Sequence, residues 1–143
     1  MNIYLDTSAV IPVLIAESSS EICRRLWENA DRRLSSMLSY VEVAAALAMA
    51  ERQRRISAAE HDEAWANFND IWPDVHVVEL TGELAASAAS LARSLELRGY
   101  DAIHCASAVA VNDSELVAAA GDNRLLAAWQ RLGVAVVDTK QTD

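Results

Sequence analysis

Lysine is almost missing from this sequence: Lys140 is the only one, and the remaining cations are all arginine. That leaves no place for a Schiff-base lysine or a Walker-type phosphate loop. Glycine is scarce too, and Gly82, Gly99, Gly121 and Gly133 stand too far apart to form a loop that cradles a phosphate. Two cysteines, Cys23 and Cys105, cannot build a disulfide framework. The longest unbroken apolar run, Val43 to Ala50, is far below the ~20 residues a membrane-spanning helix needs. No cationic segment precedes the short apolar stretch Ala9 to Ala16, so the expected setting is reducing and cytoplasmic. Positive charge as a whole is short: 12 basic against 21 acidic side chains give a net charge of −9. Coating of nucleic acid by bulk attraction, and binding to a membrane surface through a polybasic patch, are both excluded on that ground.

What is present is a globular composition, 52% hydrophobic and 23% charged over 143 residues. This is the size of one domain, expected to span 1–143, and no repeat, low-complexity tract or linker interrupts it. Short apolar runs at Asn2–Asp6, Leu34–Met37, Val75–Leu80, Leu116–Ala120 and Val134–Val137 read as strands. Between them lie segments of helical periodicity: Ala9–Ala16, Ser18–Asp31, Ser39–Arg55, Ser57–Ile71, Thr81–Leu97, Tyr100–Val111 and Asn123–Leu132. Pro12 is expected in the first turn of its helix, where no N–H is missed. Ser39 with Glu42, and Ser57 with Glu60, have the spacing of capping boxes. Gly99 is expected just past a helix end. Strands alternating with helices predict an α/β fold with a parallel sheet and helices on both faces. Ligands then sit beyond the carboxyl ends of the strands, which puts Asp6 and Asp122 on one rim.

Most acids have polar neighbours and read as solvated helix faces. Four do not. Asp6 follows Ile-Tyr-Leu, Glu42 lies between two valines, Asp101 precedes Ala-Ile, and Asp122 ends Leu-Val-Ala-Ala-Ala-Gly. A carboxylate beside apolar segments loses hydration and needs a cation or several hydrogen bonds in its place. No arginine precedes Asp6 or immediately flanks Glu42 or Asp101, whereas Arg124 follows close on Asp122. Each acid also has a plainer reading: Asp6 and Asp101 as helix caps, Glu42 as half of a capping box, Asp122 as a turn former. Taken together, four gathered carboxylates repel one another, and a divalent ion such as Mg²⁺ or Mn²⁺ relieves the conflict.

Four motifs then come together: Leu5-Asp6-Thr7-Ser8-Ala9, Ser39-Tyr40-Val41-Glu42, Tyr100-Asp101-Ala102-Ile103-His104-Cys105-Ala106 and Gly121-Asp122-Asn123-Arg124-Leu125. In this order, over essentially the whole chain, they resemble the PIN-domain family, and more narrowly its VapC-type toxins. The resemblance implies a PIN-like three-layer sandwich, with about five short parallel strands between helical layers. It implies a metal-dependent endoribonuclease that cleaves transfer or ribosomal RNA and arrests translation. It also implies a toxin homodimer and a cognate antitoxin that blocks the site. Asp6, Glu42, Asp101 and Asp122 fall on the family's acidic quartet, and Thr7 or Ser8 on its supporting hydroxyl. Asp6 and Asp101 are expected to hold the principal metal, with Glu42 and Asp122 completing a second site or orienting water. The family usually has threonine two residues before the last acid; here Ala120 stands there. A catalytically weakened PIN-like module that binds RNA or protein is the alternative.

Several other readings are weaker. His104-Cys105 suggests a nucleophile and base, but adjacent helix residues point about 100° apart. A receiver domain would need a paired acid early in the chain, and a haloacid-dehalogenase-type phosphatase an Asp-x-Asp, where this sequence has Ser8. For RNA contacts, the arginines Arg52, Arg54 and Arg55 at the end of the long helix are the expected cluster, with Arg24, Arg25, Arg32 and Arg33 elsewhere. The alanine-rich hairpin 39–71 is the expected antitoxin groove.

Overall fold

The computed structural model describes residues 1–140. Its elements are β1 (Asn2–Leu5), α1 (Thr7–Leu14), α2 (Ser20–Asn29), β2 (Arg32–Ser36), α3 (Leu38–Arg52) and α4 (Ala58–Ile71), followed by a 3-10 turn at Trp72–Asp74. They continue with β3 (His76–Val78), α5 (Gly82–Ser94), α6 (Gly99–Ala110), β4 (Leu116–Ala120), α7 (Asn123–Arg131) and β5 (Ala135–Asp138). The five strands form one sheet in the order β3-β2-β1-β4-β5, and every pairing is parallel. From β1 the chain first builds outward through β2 and β3, then returns to the other side for β4 and β5. The strand order therefore reverses at β1, the position where doubly wound sheets leave a crevice for ligands.

Side-chain alternation along the strands separates the two cores. Ile3, Leu5 and Ala119 pack with Ala9, Val10, Val43, Leu47 and Phe68, beneath α1 to α4. Tyr4, Ala118 and Ala120 face the other way and pack with Cys105, Leu125 and Trp129, beneath α5 to α7. This is the three-layer arrangement expected from the sequence. Alanine at 118–120 leaves room for the helices to lie close to the centre of the sheet, and all three are fully buried.

Local capping holds where the partners are near in sequence. Ser57 accepts from the Glu60 N–H and Glu60 reaches back to the Ser57 N–H, a complete capping box at the start of α4. Ser57→Ala is expected to cost about 1 kcal/mol. A thermal midpoint lowered by roughly 2–4 °C would record it.

Three local expectations are corrected. Helix α1 begins at Thr7, so Pro12 lies inside it and not in the first turn; the helix ends two residues later at Leu14. Ser39 is not the cap of α3: the helix starts at Leu38, and Ser39 is buried with its hydroxyl 2.6 Å from that of Ser35. Gly99 is the first residue of α6, and the left-handed position after α5 is taken by Glu96 at φ 53°.

Candidate active site

The carboxyl ends of β1 and β4 bring the first and last motifs together. The Asp6 N–H donates to the Ala119 carbonyl, and its carboxylate accepts from the Ser8 N–H at 3.2 Å and the Ser8 hydroxyl at 2.5 Å. Asp6 therefore caps α1 while its side chain stays almost buried. The Ser8 hydroxyl in turn accepts from the Gly121 N–H at 2.9 Å, which ties the start of α1 to the turn after β4. In that turn Asp122 caps α7, accepting from the Arg124 and Leu125 N–H groups.

Glu42 and Asp101 come from opposite helical layers. Glu42, in the second turn of α3, accepts from the Thr7 hydroxyl at 2.8 Å and from His104 Nε2 at 2.6 Å. The capping role with Ser39 is thus unused; Glu42 turns toward the end of β1. Asp101 lies in the first turn of α6, with Arg98 Nε at 3.7 Å. His104, one turn further along α6, is 1% exposed. Its Nε2 is 3.3 Å from Asp6 and its Nδ1 is 2.8 Å from the Tyr4 hydroxyl. The imidazole thus crosses the sheet's carboxyl edge and links α6 to α3. The sequence singles out His104 only through its place in the third motif and beside Cys105, and nothing in it ties His104 to Glu42 or Tyr4.

Charge follows this geometry. Burial pulls the Glu42 carboxyl upward, but the hydrogen bond and charge of His104, helped by Thr7, bring it below its ordinary value. Burial alone would lower His104, yet the Glu42 bond and the charges of Asp6, Glu42 and Asp101 raise it. Asp101 is raised, first by burial and then by the nearby charges of Asp122 and Asp6, with Arg98 and His104 only partly offsetting them. Asp101 therefore registers the mutual repulsion of the rim carboxylates. The ordinary values for Glu42 and His104 are 4.5 and 6.5. The pair stabilises the fold most fully between those two pH values. It loses that effect below 4.5, as Glu42 protonates through its lowered value, and above 6.5, as His104 deprotonates through its raised one. Urea denaturation in chelator should find the advantage of the wild type over His104→Asn widest within that window.

In chemical kind, the donors suit a hard divalent cation: all four acids offer oxygen, and Asp101 carries the sign of uncompensated negative charge. Asp6, Glu42 and Asp122 already accept hydrogen bonds from the protein itself, and Asp101 faces Arg98. Among the described residues no group of three or more His, Cys, Asp or Glu side chains converges to grip an ion as the side chains stand.

Other expectations resolve plainly. The Cys105 thiol is buried and pushed up to about 11 by that burial, which removes the nucleophile reading of His104-Cys105. Ala120 is fully buried in the core. The neighbouring hydroxyls that do reach the carboxylates are those of Ser8 and Thr7. The Arg52, Arg54 and Arg55 cluster lies at the far end of α3, about 15 Å along the helix from Glu42 by its rise per residue. Arg55 there faces Glu17 at 3.7 Å.

Comparison with known proteins agrees with this architecture. A family model described as PIN domain matches residues 3–129. Ribonuclease VapC49 of Mycobacterium tuberculosis is 43% identical over 123 residues, covering 86% of this chain and 85% of the relative. Ribonuclease VapC46 of the same species is 31% identical over 135 residues, covering 94% and 95%. The chain belongs to the PIN-domain family, and VapC-type ribonucleases are among its relatives. Solved structures share the fold at lower identity. FitAcB from Neisseria gonorrhoeae has a TM-score of 0.71 at 17% identity, over 98% of this chain and 99% of that one. M. tuberculosis VapC20, described as a sarcin-ricin loop cleaving toxin, has a TM-score of 0.67 at 21% identity, over 88% and 94%. Among the described residues no helix is long and apolar enough to cross a membrane.

Proposed function

We propose that this protein is a metal-dependent endoribonuclease, acting as the toxin of a toxin–antitoxin pair and inhibiting translation. The observation that carries the reading is the placement of Asp6, Asp101 and Asp122 at one rim, with Glu42 joined to it through His104, where burial first and then the charges of Asp122 and Asp6 raise Asp101. A Mg²⁺ or Mn²⁺ ion there would acidify a bound water and neutralise the phosphate under attack. Asp6 and Asp101 are the residues that would hold it, and Glu42 and Asp122 would complete a second site or orient the water. His104 holds the Glu42 carboxylate in place, and Ser8 holds that of Asp6. The Ser8 and Thr7 hydroxyls favour this catalytic reading over a weakened binding module, because the support lost at Ala120 has substitutes at the rim.

The substrate class is structured RNA, transfer or ribosomal, in keeping with relatives named as ribonucleases. A cognate antitoxin is the natural partner, since the solved structures sharing this fold include VapBC and FitAB assemblies. The α3–α4 hairpin offers it exposed apolar side chains, Val41 and Met49. A homodimer completes the proposal.

The test is incubation of the purified protein with total RNA in Mn²⁺, Mg²⁺ or chelator, followed by mapping of new 5′ ends. Discrete ends bearing 5′-phosphate in the metal lanes alone are expected. Identical RNA in all lanes would refute the assignment.

A further inference from the structure

An enzyme of net charge −9 that presents carboxylates to a polyanion needs positive charge close to those carboxylates. The expected arginine cluster is at the wrong end of α3 to supply it. Three other cations belong to the segments that carry the rim acids. Arg98 places Nε 3.7 Å from Asp101 while its side chain is 82% exposed. Arg124 follows Asp122 by two residues, its N–H bonded to that carboxylate and its side chain exposed. Lys140, the sole lysine, lies just past β5 and folds over Gly121, so that a Cβ added there would sit 3.1 Å from the lysine Cε. The bare glycine leaves room for this close approach; a Cβ at 121 would make the lysine stem give by a few tenths of an ångström.

An aromatic ring completes the set. Tyr100 precedes Asp101 and is 65% exposed, the only aromatic residue among the exposed large hydrophobics of the described residues. Its ring, next to Asp101 in the chain, is left largely open to solvent. Cations that follow a backbone, together with an open ring for a base, are what single-stranded nucleic acid binding requires.

We propose that Arg98, Arg124 and Lys140 bind the RNA phosphates flanking the bond to be cut, and that a base stacks on Tyr100. The proposal rests on the ribonuclease reading and gives it a substrate-binding collar. The two are separated by measuring binding and cleavage independently.

The probe is a fluorescein-labelled 20-nucleotide RNA of mixed sequence, titrated by anisotropy into the Asp101→Asn protein at several salt concentrations. Adding Arg124→Ala or Lys140→Ala should weaken binding about three- to tenfold at low salt. Each should also reduce the slope of log Kd against log salt by about 0.7, the value for one phosphate contact on a single strand. Tyr100→Ala should weaken binding with the slope unchanged, and Tyr100→Phe should restore it, because stacking needs the ring and not the hydroxyl. Arg54→Ala, at the far end of α3, should leave both quantities alone.

The collar is overturned if the Asp101→Asn protein does not bind the probe at low salt. It is equally overturned if Arg54→Ala matches the effect of Arg124→Ala, or if Tyr100→Ala changes only the oligomeric state seen by light scattering. Cleavage of total RNA by the wild type is followed in parallel. Metal-dependent cleavage that persists in Arg124→Ala and Lys140→Ala with unchanged affinity removes the collar and keeps the nuclease.

Discussion

Asp101→Asn is expected to lower metal-dependent RNA cleavage by about 10²–10³-fold, the cost of removing one charge-stabilising group from an active centre, while the protein becomes no less stable. The two effects share one cause. The folded state raises the Asp101 carboxyl through burial and through its neighbours Asp122 and Asp6, so keeping it ionised works against the fold at neutral pH. An amide of the same shape removes that conflict and also removes the charge a cation would require. Cleavage assayed over a Mn²⁺ series, with thermal unfolding of the same preparations in chelator, checks both halves. A variant that cuts RNA as well as the wild type would end the claim that Asp101 holds metal. A variant that unfolds several degrees earlier would show the residue to be a structural anchor.

His104→Ala should have the largest effect on stability of any single change at the site, about 2–4 kcal/mol. The imidazole is 1% exposed and joins groups far apart in the chain: Tyr4 at Nδ1, and Glu42 with Asp6 at Nε2. Its removal leaves the buried Tyr4 hydroxyl without this partner, leaves Glu42 with the Thr7 hydroxyl alone, and opens a void between the layers. Urea denaturation measures the loss. A double-mutant cycle with Tyr4→Phe assigns its origin: if the shared hydrogen bond matters, the two changes together cost clearly less than their sum. Strict additivity would mean that the 2.8 Å contact contributes little, and that the void accounts for the loss.

Much of the architecture was legible because its signals are local. The strand at Leu116–Ala120 has the expected bounds, and Ser57 caps its helix as its spacing from Glu60 predicts. The alternation of strand and helix led directly to a parallel sheet. Readings failed where a distant partner outbid a near one. Ser39 has the spacing of a cap but is drawn into a buried hydroxyl pair with Ser35, and Glu42, its supposed counterpart, is held by residues 35 and 62 positions away. The four acids could be chosen from their apolar company, which is a property of the sequence. The cation among them could not, because His104 reaches its place through Tyr4, 100 residues earlier.

The crossing of the sheet edge by Glu42 and His104 also has a bearing on synthesis. A ribosome that has made every residue through α5 has already produced Asp6 and Glu42, but none of the groups that α6 and α7 contribute. Nothing resembling the finished centre exists until the final third of the polypeptide has emerged and closed over β1. The rim of four carboxylates is thus incomplete for most of the chain's own translation, a delay set by chain order alone.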